Sequence, residues 1–301
     1  MTRSYKATGI NLKGMPMGET DRLVTILTVE HGLVRALVPG ARKHKSRLGG
    51  RSSQFVVNEL FIVKGKRLDK LVQAETVRSF PGLSADLARL TASQYLAELV
   101  LCQALSEQPQ GELFALLIEQ LQRLEQVPIA EILACLSQGI FQLLMLAGVA
   151  PELGQCSMSQ VPIAPDPTRT DWQVGFSPVS GGVVSLEQLA QLPLPSPRAR
   201  MPGGRYAVGS ASGGGGRSRS AKTPSTTLIS APELWLLRQL EQPTLVTTAA
   251  LLPLGFAPEA LEPLWPKIER LLREYAEYHF DRTIRSATLI DACFPVVVSS
   301  K

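Results

Sequence analysis

The stretch LVRALVPGARKHKSRLGGR, from Leu33 to Arg51, joins an apolar run to a strongly basic loop, and the rest of the chain is organised around it. Its apolar beginning, Leu33 to Val38, has the composition of a β-strand, and Pro39-Gly40 ends that strand. The loop that follows contains no acidic residue, and its basic side chains are Arg42, Lys43, Lys45, Arg47 and Arg51. A charged run alone is usually a solvated surface. Because this run lies in a short β-rich segment that is basic throughout, we expect it to bind a partner.

Short strands account for the rest of the first 80 residues. The pattern predicts strands at Tyr5–Leu12, Arg22–Val29, Leu33–Val38, Phe55–Val63 and Leu68–Val77. Residues 13–20 contain two glycines and a proline and are predicted to form a loop. The last two strands are joined by the basic turn Lys64-Gly65-Lys66-Arg67. Five short strands without a helical segment favour an oligonucleotide-binding (OB) barrel, with an SH3-like barrel as the alternative.

From Ser84 the hydrophobic period changes to that of helices. Ser84 is predicted to cap a first helix that ends near Ser106. Further helices are predicted at Glu112–Gln126, Ile129–Leu146, from Pro232 onward, and at Pro263–Thr283. The short connections predict antiparallel packing in a bundle. The chain is thus predicted to be a multidomain α+β protein, with an OB-fold nucleic-acid-binding domain at residues 1–80 and a helical domain at residues 81–301.

Two segments interrupt the predicted helical domain. Residues 151–192 have an irregular β-containing pattern and predict a small insertion. Residues 193–227 consist largely of proline, glycine, serine and arginine. Such a segment cannot bury enough apolar surface to order itself, so a disordered basic insert is predicted there.

The charge is concentrated in the barrel. Residues 1–80 contain 15 Lys/Arg and 6 Asp/Glu, a net charge of +9, whereas the remaining residues carry −4. The cysteines, Cys102, Cys135, Cys156 and Cys293, are scattered as in proteins of a reducing compartment. No signal-peptide pattern precedes the first strand, and the longest near-apolar run, Ile140 to Ala150, is shorter than the roughly 20 residues that cross a bilayer. We therefore expect a cytoplasmic protein that does not enter a membrane.

Catalytic motifs are not found in the sequence. His31, His44 and His279 have no nucleophile or carboxylate partner at a recognised motif spacing. Gly9 and Gly14 have the separation of the two P-loop glycines, but Met15-Pro16 follows where lysine and Ser/Thr are required. The sequence therefore predicts neither an enzyme nor a cofactor.

Several blocks of the sequence resemble the bacterial RecO family of recombination mediators. The blocks that carry the resemblance are Tyr5–Leu12, Gly18–Thr28, His31–Arg35, Gly40–Leu48, Gln94–Leu99, Gly181–Val184 and Leu272–His279. Their order along the chain is more specific than any one of them. The resemblance implies an OB barrel, a helical C-terminal domain, DNA repair by binding and annealing of single-stranded DNA, and association with the nucleoid. It also implies RecR and single-stranded-DNA-binding protein as partners, with RecA loading as an indirect outcome.

One departure from the family concerns zinc. Many members hold zinc with two Cys-x-x-Cys pairs, whereas the matching positions here are Cys156-Ser157-Met158-Ser159 and Ser185-Leu186-Glu187-Gln188. Only Cys156 could provide a thiolate, so no metal is predicted. The insertion is then expected to be held by packing of Trp172, Phe176, Val183 and Val184.

Two hypotheses remain open from the sequence. In the first, the basic barrel binds the phosphates of single- and double-stranded DNA without reading the base sequence. The predicted DNA-contacting residues are Arg35, Arg42, Lys43, Lys45, Arg47, Arg51, Lys64, Lys66, Arg67 and Lys70. In the second, the protein is an adaptor whose basic face binds an acidic protein.

Overall fold

A computed structural model describes residues 4–166, 169, 171–191, 225–244 and 264–294. Its N-terminal part is a closed barrel with the strand order β1-β2-β3-β5-β4. The strands are β1 (Ser4–Met17), β2 (Asp21–Thr28), β3 (Gly32–Val38), β4 (Val57–Val63) and β5 (Asp69–Arg78). β1 pairs with β4 to close the barrel, and β3 runs parallel to β5. This is the OB topology, and the SH3-like alternative is wrong.

The first strand is longer than predicted. β1 pairs with β4 through Ile10 and continues along β2 as far as Met17, so most of the predicted loop at 13–20 is strand. Pro16 is tolerated because this end of β1 pairs with β2 only, and proline is acceptable at such an edge. The fourth strand begins later than predicted, at Val57. Phe55 precedes it with a positive φ of 60° and a buried side chain.

The barrel contributes to two apolar cores. Its interior contains Val24, Ile26 and Ile62, each of which is fully buried. Ile10 and Leu27 are paired across β1 and β2 and belong instead to the core of the helices. Burial of both faces at this end of the sheet fixes the barrel against the helical body.

The helical body follows the predicted pattern with shifted boundaries. Its helices are α1 (Leu87–Gln103), α2 (Gly111–Gln126), α3 (Ile132–Leu146), α4 (Leu186–Gln191), α5 (Ala231–Gln239), α6 (Trp265–Phe280) and α7 (Ala287–Cys293). The prediction that Ser84 caps the first helix is wrong. Ser84 lies in a short 3₁₀ turn, and the carboxylate of Asp86 instead accepts the N–H of Arg89 at 2.8 Å. An aspartate in extended conformation is a favoured cap.

Helix α3 forms the centre of the body. It packs against α1, α2 and α6. The segment Ile129–Leu146 is long and apolar enough to span a membrane, but 67% of it is buried within the protein. Such burial is typical of the core helix of a helical bundle.

The predicted insertion contributes two of the three strands of a small antiparallel sheet. Strands β6 (Gln173–Ser177), β7 (Gly182–Val184) and β8 (Thr227–Ser230) are arranged in the order β7-β6-β8. Phe176, Val183 and Val184 are buried, and Trp172 is partly buried against the same core, as predicted. Residues 193–224 of the predicted disordered insert, which spans 193–227, lie outside the described residues. Its last residue, Thr227, belongs to β8, contrary to the prediction.

Candidate nucleic-acid interface

The basic loop between β3 and β4 is fixed in place by buried amides. The side chain of Asn11, 1% exposed, donates hydrogen bonds to the carbonyls of Arg51 at 2.8 Å and Ser53 at 2.9 Å. Asn58 donates a second bond to the Arg51 carbonyl, at 2.9 Å. Because buried amides of this kind are costly to leave unpaired, they hold the far end of the loop on the barrel. Lys43, outside these bonds, remains exposed.

A basic residue that the sequence did not single out supports the same loop. Arg22 on β2 donates from Nη1 to the Gly49 carbonyl at 3.2 Å and to the Ser52 hydroxyl at 2.9 Å. Nothing in the local sequence distinguishes Arg22, because its partners lie 27 and 30 residues further along. Its guanidinium therefore has a structural role under the loop.

Asp21 is an acidic neighbour of the loop that the charge pattern did not indicate. Its Oδ1 accepts the backbone N–H of Gly40 at 2.8 Å and the Thr20 hydroxyl at 2.9 Å. The Gly40 bond is the main reason that the pKa of Asp21 is lowered, and Lys43 and Lys70 lower it further. The loop itself contains no acidic residue, but the fold brings the carboxylate of Asp21 next to its first turn.

Arg42 links the loop to the turn between β1 and β2. Its Nη1 donates to the carbonyls of Gly18 at 3.1 Å and Glu19 at 3.2 Å. Both acceptors are neutral backbone groups, and the Arg42 side chain is exposed. Arg42 is therefore a structural residue of the loop as well as a candidate phosphate contact.

A second basic group lines a groove of ≈ 640 Å³ between the barrel and the α1–α2 connection. Its basic lining residues are Arg35, Lys64, Lys66 and Arg67. Lys64 lies 3.5 Å from Glu107, but both side chains are at least half exposed, and such pairs contribute little to stability. The cations of this group are thus available to another anion.

Lys70 connects the two basic groups. It pairs with Leu37 across β5 and β3, near the point where the basic loop begins. The predicted DNA-contacting side chains are exposed, with one exception: Arg51 is half-buried, and its carbonyl is bonded to Asn11 and Asn58. The structure therefore places the remaining predicted cations on β3, on the start of β5 and on the β3–β4 and β4–β5 connections of one barrel.

Lys13 is a further cation that the sequence reasoning missed. In the β1–β2 and β2–β3 registers it stands in one row with Thr25 and Arg35, so both cations lie on the same side of the sheet. The β2–β3 face is the surface that OB folds use to bind oligonucleotides. The sequence pattern predicts a loop at Lys13, and a strand register cannot be read from a loop.

The positions that match the family's zinc ligands retain a compact arrangement without suitable donors. Cys156 Sγ lies 3.9 Å from the Ser185 hydroxyl and accepts the Ser185 N–H at 3.4 Å. An edge of about 3.8 Å would join two thiolates around zinc, given Zn–S bonds of about 2.3 Å. Serine and glutamine in place of three thiolates do not fit zinc, and among the described residues no cluster of three or more His, Cys, Asp or Glu could hold a metal.

Hydrogen bonds instead surround the Cys156 sulfur. Burial acts to raise the pKa of Cys156, but bonds from the Ser159 side chain and the backbone N–H of Ser185 outweigh it and lower the pKa to about 6. Ser157 contributes to the same turn through a backbone bond of 2.8 Å to Val183. The insertion is therefore closed by hydrogen bonds and packing at this point.

The comparisons with known proteins cover nearly the whole chain. Residues 1–80 match the family described as "Recombination protein O N terminal", and residues 84–193 match "Recombination protein O C terminal". A DNA repair protein RecO of Gloeothece citriformis is 51% identical over 98% of this chain and 99% of its own length. Proteins of the same name from Cyanothece sp. and Nostoc sp. are 50% and 48% identical, each over 98% of this chain and 97% of their own length.

Proposed function

Since the chain belongs to the RecO family of DNA repair proteins, we propose that it is a non-enzymatic recombination mediator that binds and anneals single-stranded DNA. The observation that carries the proposal is the set of exposed cations formed by Arg35 on β3, Lys70 on β5 and the basic residues of the β3–β4 loop and the β4–β5 turn. An OB barrel with cations at these positions is suited to follow a phosphate backbone. The barrel would bind double-stranded DNA through the same phosphates, because these contacts do not read bases.

Annealing follows from charge neutralisation and proximity. Two complementary strands repel each other through their phosphates, and each strand held on a basic surface carries less of that repulsion. Lys43 and Arg67 lie on different loops of one barrel, so a bound strand can be neutralised along its length through its phosphates, while bases outside the contacts stay free to pair. The reaction requires no bond to be broken in DNA, which agrees with a mediator rather than an enzyme.

The finer assignments of partners and location are also proposals. We expect the helical domain, residues 81–301, to engage RecR and single-stranded-DNA-binding protein, and the complex to help load RecA. The relatives that support this family membership are bacterial DNA repair proteins by name. A protein of this function would act in the cytoplasm in association with the nucleoid.

The decisive experiment measures annealing of complementary strands coated with single-stranded-DNA-binding protein, with and without this chain. Annealing should accelerate with added protein, and the acceleration should decrease as salt is raised because phosphate contacts release counterions. An adaptor that uses its basic face for an acidic protein would leave the annealing rate unchanged. Free single-stranded oligonucleotide would also fail to compete for that protein partner.

A further inference from the structure

The lining of the groove beside the β4–β5 turn includes an aromatic pair. The rings of Tyr5 and His31 meet edge to face, with centroids 4.6 Å apart and planes at 70°. The Tyr5 hydroxyl donates to Asp69 Oδ2 at 2.6 Å. Burial raises the pKa of Tyr5 above its ordinary value, and the interaction with Asp69 raises it further. The phenol therefore stays protonated and keeps this bond. The tyrosine ring is therefore fixed in one orientation before any ligand arrives.

Cations outnumber acids in the lining of this groove, where Arg35, Lys64, Lys66 and Arg67 stand against Asp69 and Glu107. Arg35 approaches from β3, and Lys66 and Arg67 from the β4–β5 turn. Asp69 accepts hydrogen bonds from Tyr5 and, at 3.1 Å, from the N–H of Gly65. An aromatic surface next to unpaired cations is the arrangement that single-strand-binding proteins use for a base and its phosphates.

The phenylalanines of the barrel have different surroundings from Tyr5 and His31. Phe55 and Phe80 are buried in the apolar core. Phe61 lines another depression together with Glu30, Glu59 and Glu75, and Glu59 pairs directly with Glu75 across the strands. Phosphate would be repelled there by three carboxylates. Of the rings compared, Tyr5 and His31 combine partial exposure with basic neighbours.

We propose that this groove binds one unpaired nucleotide of single-stranded DNA, with its base against Tyr5 and His31 and its phosphates near Lys66 and Arg67. The volume of ≈ 640 Å³ lies within the roughly 300–1,000 Å³ of pockets that enclose small organic ligands. A base inside a duplex is stacked and paired and cannot enter. The inference rests on the proposed DNA binding and adds to it a base contact that favours single strands over duplex.

Two substitutions test the aromatic pair without removing charge from the phosphate contacts. His31→Ala and Tyr5→Leu should each weaken binding of an oligo-dT strand by roughly 5- to 150-fold, the range for removal of one stacked base. The salt slope should stay at the wild-type value, because every phosphate contact is retained. Affinity for a blunt duplex of the same length should not change. Tyr5→Phe keeps the ring and should bind nearly as wild type.

Tyr278→Leu is the matched control, because it removes an exposed aromatic ring of α6 away from the groove. It should leave oligonucleotide affinity unchanged. Thermal melting of every variant separates loss of binding from loss of fold. Wild-type affinity of folded His31→Ala for oligo-dT, or an equal loss for duplex, would overturn the inference.

A fluorescent base gives a measurement that does not depend on the stability of the variants. A 2-aminopurine within an oligo-dT strand should be quenched when it binds the wild-type protein, and His31→Ala should reduce the quenching at saturating protein. Absence of quenching along the whole strand, with tight binding, would overturn the base contact while leaving the proposed function intact. Absence of binding to any DNA would instead overturn the proposed function.

Discussion

The carboxylate of Asp21 accepts the backbone N–H of Gly40 at 2.8 Å and thereby ties the start of β2 to the first turn of the basic loop. Gly40 has a φ of +62°, which a glycine adopts without strain. The bond is charge-assisted, since the acceptor is ionised at neutral pH. Asp21 therefore orders the loop, and its negative charge partly neutralises the nearby Lys43 and Lys70.

The pH dependence of stability should report this bond. The pKa of Asp21 is lowered in the folded state, mainly by the Gly40 N–H, so its stabilisation is complete above the unfolded value of about 4. The stabilisation disappears as the pH falls through the lowered folded-state pKa. The melting-temperature difference between wild type and Asp21→Ala should be largest at neutral pH and shrink in acid. A difference that stayed constant down to about pH 2 would contradict this assignment.

The charge of Asp21 can be separated from its hydrogen bond. Asp21→Asn retains an oxygen acceptor for Gly40 but removes a negative charge beside Lys43 and Lys70. We expect it to bind DNA more tightly than wild type at low salt, with a difference that fades as screening increases. Glu19→Gln, in the neighbouring turn, is the control for removal of one acid near the loop. Weaker DNA binding by folded Asp21→Asn would show that the carboxylate is needed for loop geometry.

Removal of the exposed loop cations should weaken binding to all DNA sequences alike. Replacing Lys43, Lys45 and Arg47 by alanine should reduce the salt slope by about 0.7 for each single-strand phosphate that the variant no longer neutralises. Arg42 is left in place, because it also bonds the carbonyls of Gly18 and Glu19. Salt titrations of oligonucleotide binding give the slope directly. An unchanged slope in a folded variant would remove the loop from the interface.

The matched control for this variant removes three exposed arginines from the helical body. These are Arg270, Arg282 and Arg285. The control makes the same change in net charge, so a general electrostatic effect would appear in both variants. We expect its salt slope to stay close to wild type, because the proposed interface lies on the barrel.

Sequence periodicity predicted the barrel and its exposed cations because both depend on local pattern. Alternation located each strand to within a few residues, and cations in loops are usually solvated. The features that periodicity could not predict depend on strand register. Pro16 lies in a strand because this end of β1 pairs with β2 alone, and Tyr5 contacts His31 only in the closed barrel. The supporting role of Arg22 likewise arises from partners distant in sequence.

The contact between the barrel and the helical body should depend on Gly32. Its φ is +64°, and an added Cβ would lie 2.1 Å from the Leu105 carbonyl oxygen and 2.5 Å from that of Gln108. Gly32→Ala should therefore lower the free energy of unfolding by about 2–5 kcal/mol, from backbone strain and overpacking together. Gly18→Ala is the control, because Gly18 has a φ of +62° and no atom within 4 Å of the added Cβ.

Gly18→Ala should cost only the strain of its backbone conformation, about 1–2 kcal/mol. Denaturant unfolding of both variants gives the comparison. Equal losses would show that strain alone acts at Gly32 and that the connection after α1 yields to the methyl group. A larger loss in Gly32→Ala would support close packing of the barrel against Leu105.

The metal content should follow the donors around Cys156. Since serine and glutamine replace three of the thiolates, purified protein should contain no stoichiometric zinc, and a chelator should leave its melting temperature unchanged. One zinc per chain in wild-type protein would contradict the prediction.

The compact arrangement allows a converse test: Ser159→Cys, Ser185→Cys and Gln188→Cys together should create a site that binds one zinc. Its binding should raise the melting temperature, and chelator should reverse the gain. The same variant with Cys156→Ala has three thiolates and should bind zinc more weakly, because the 3.9 Å edge between positions 156 and 185 is then missing a ligand.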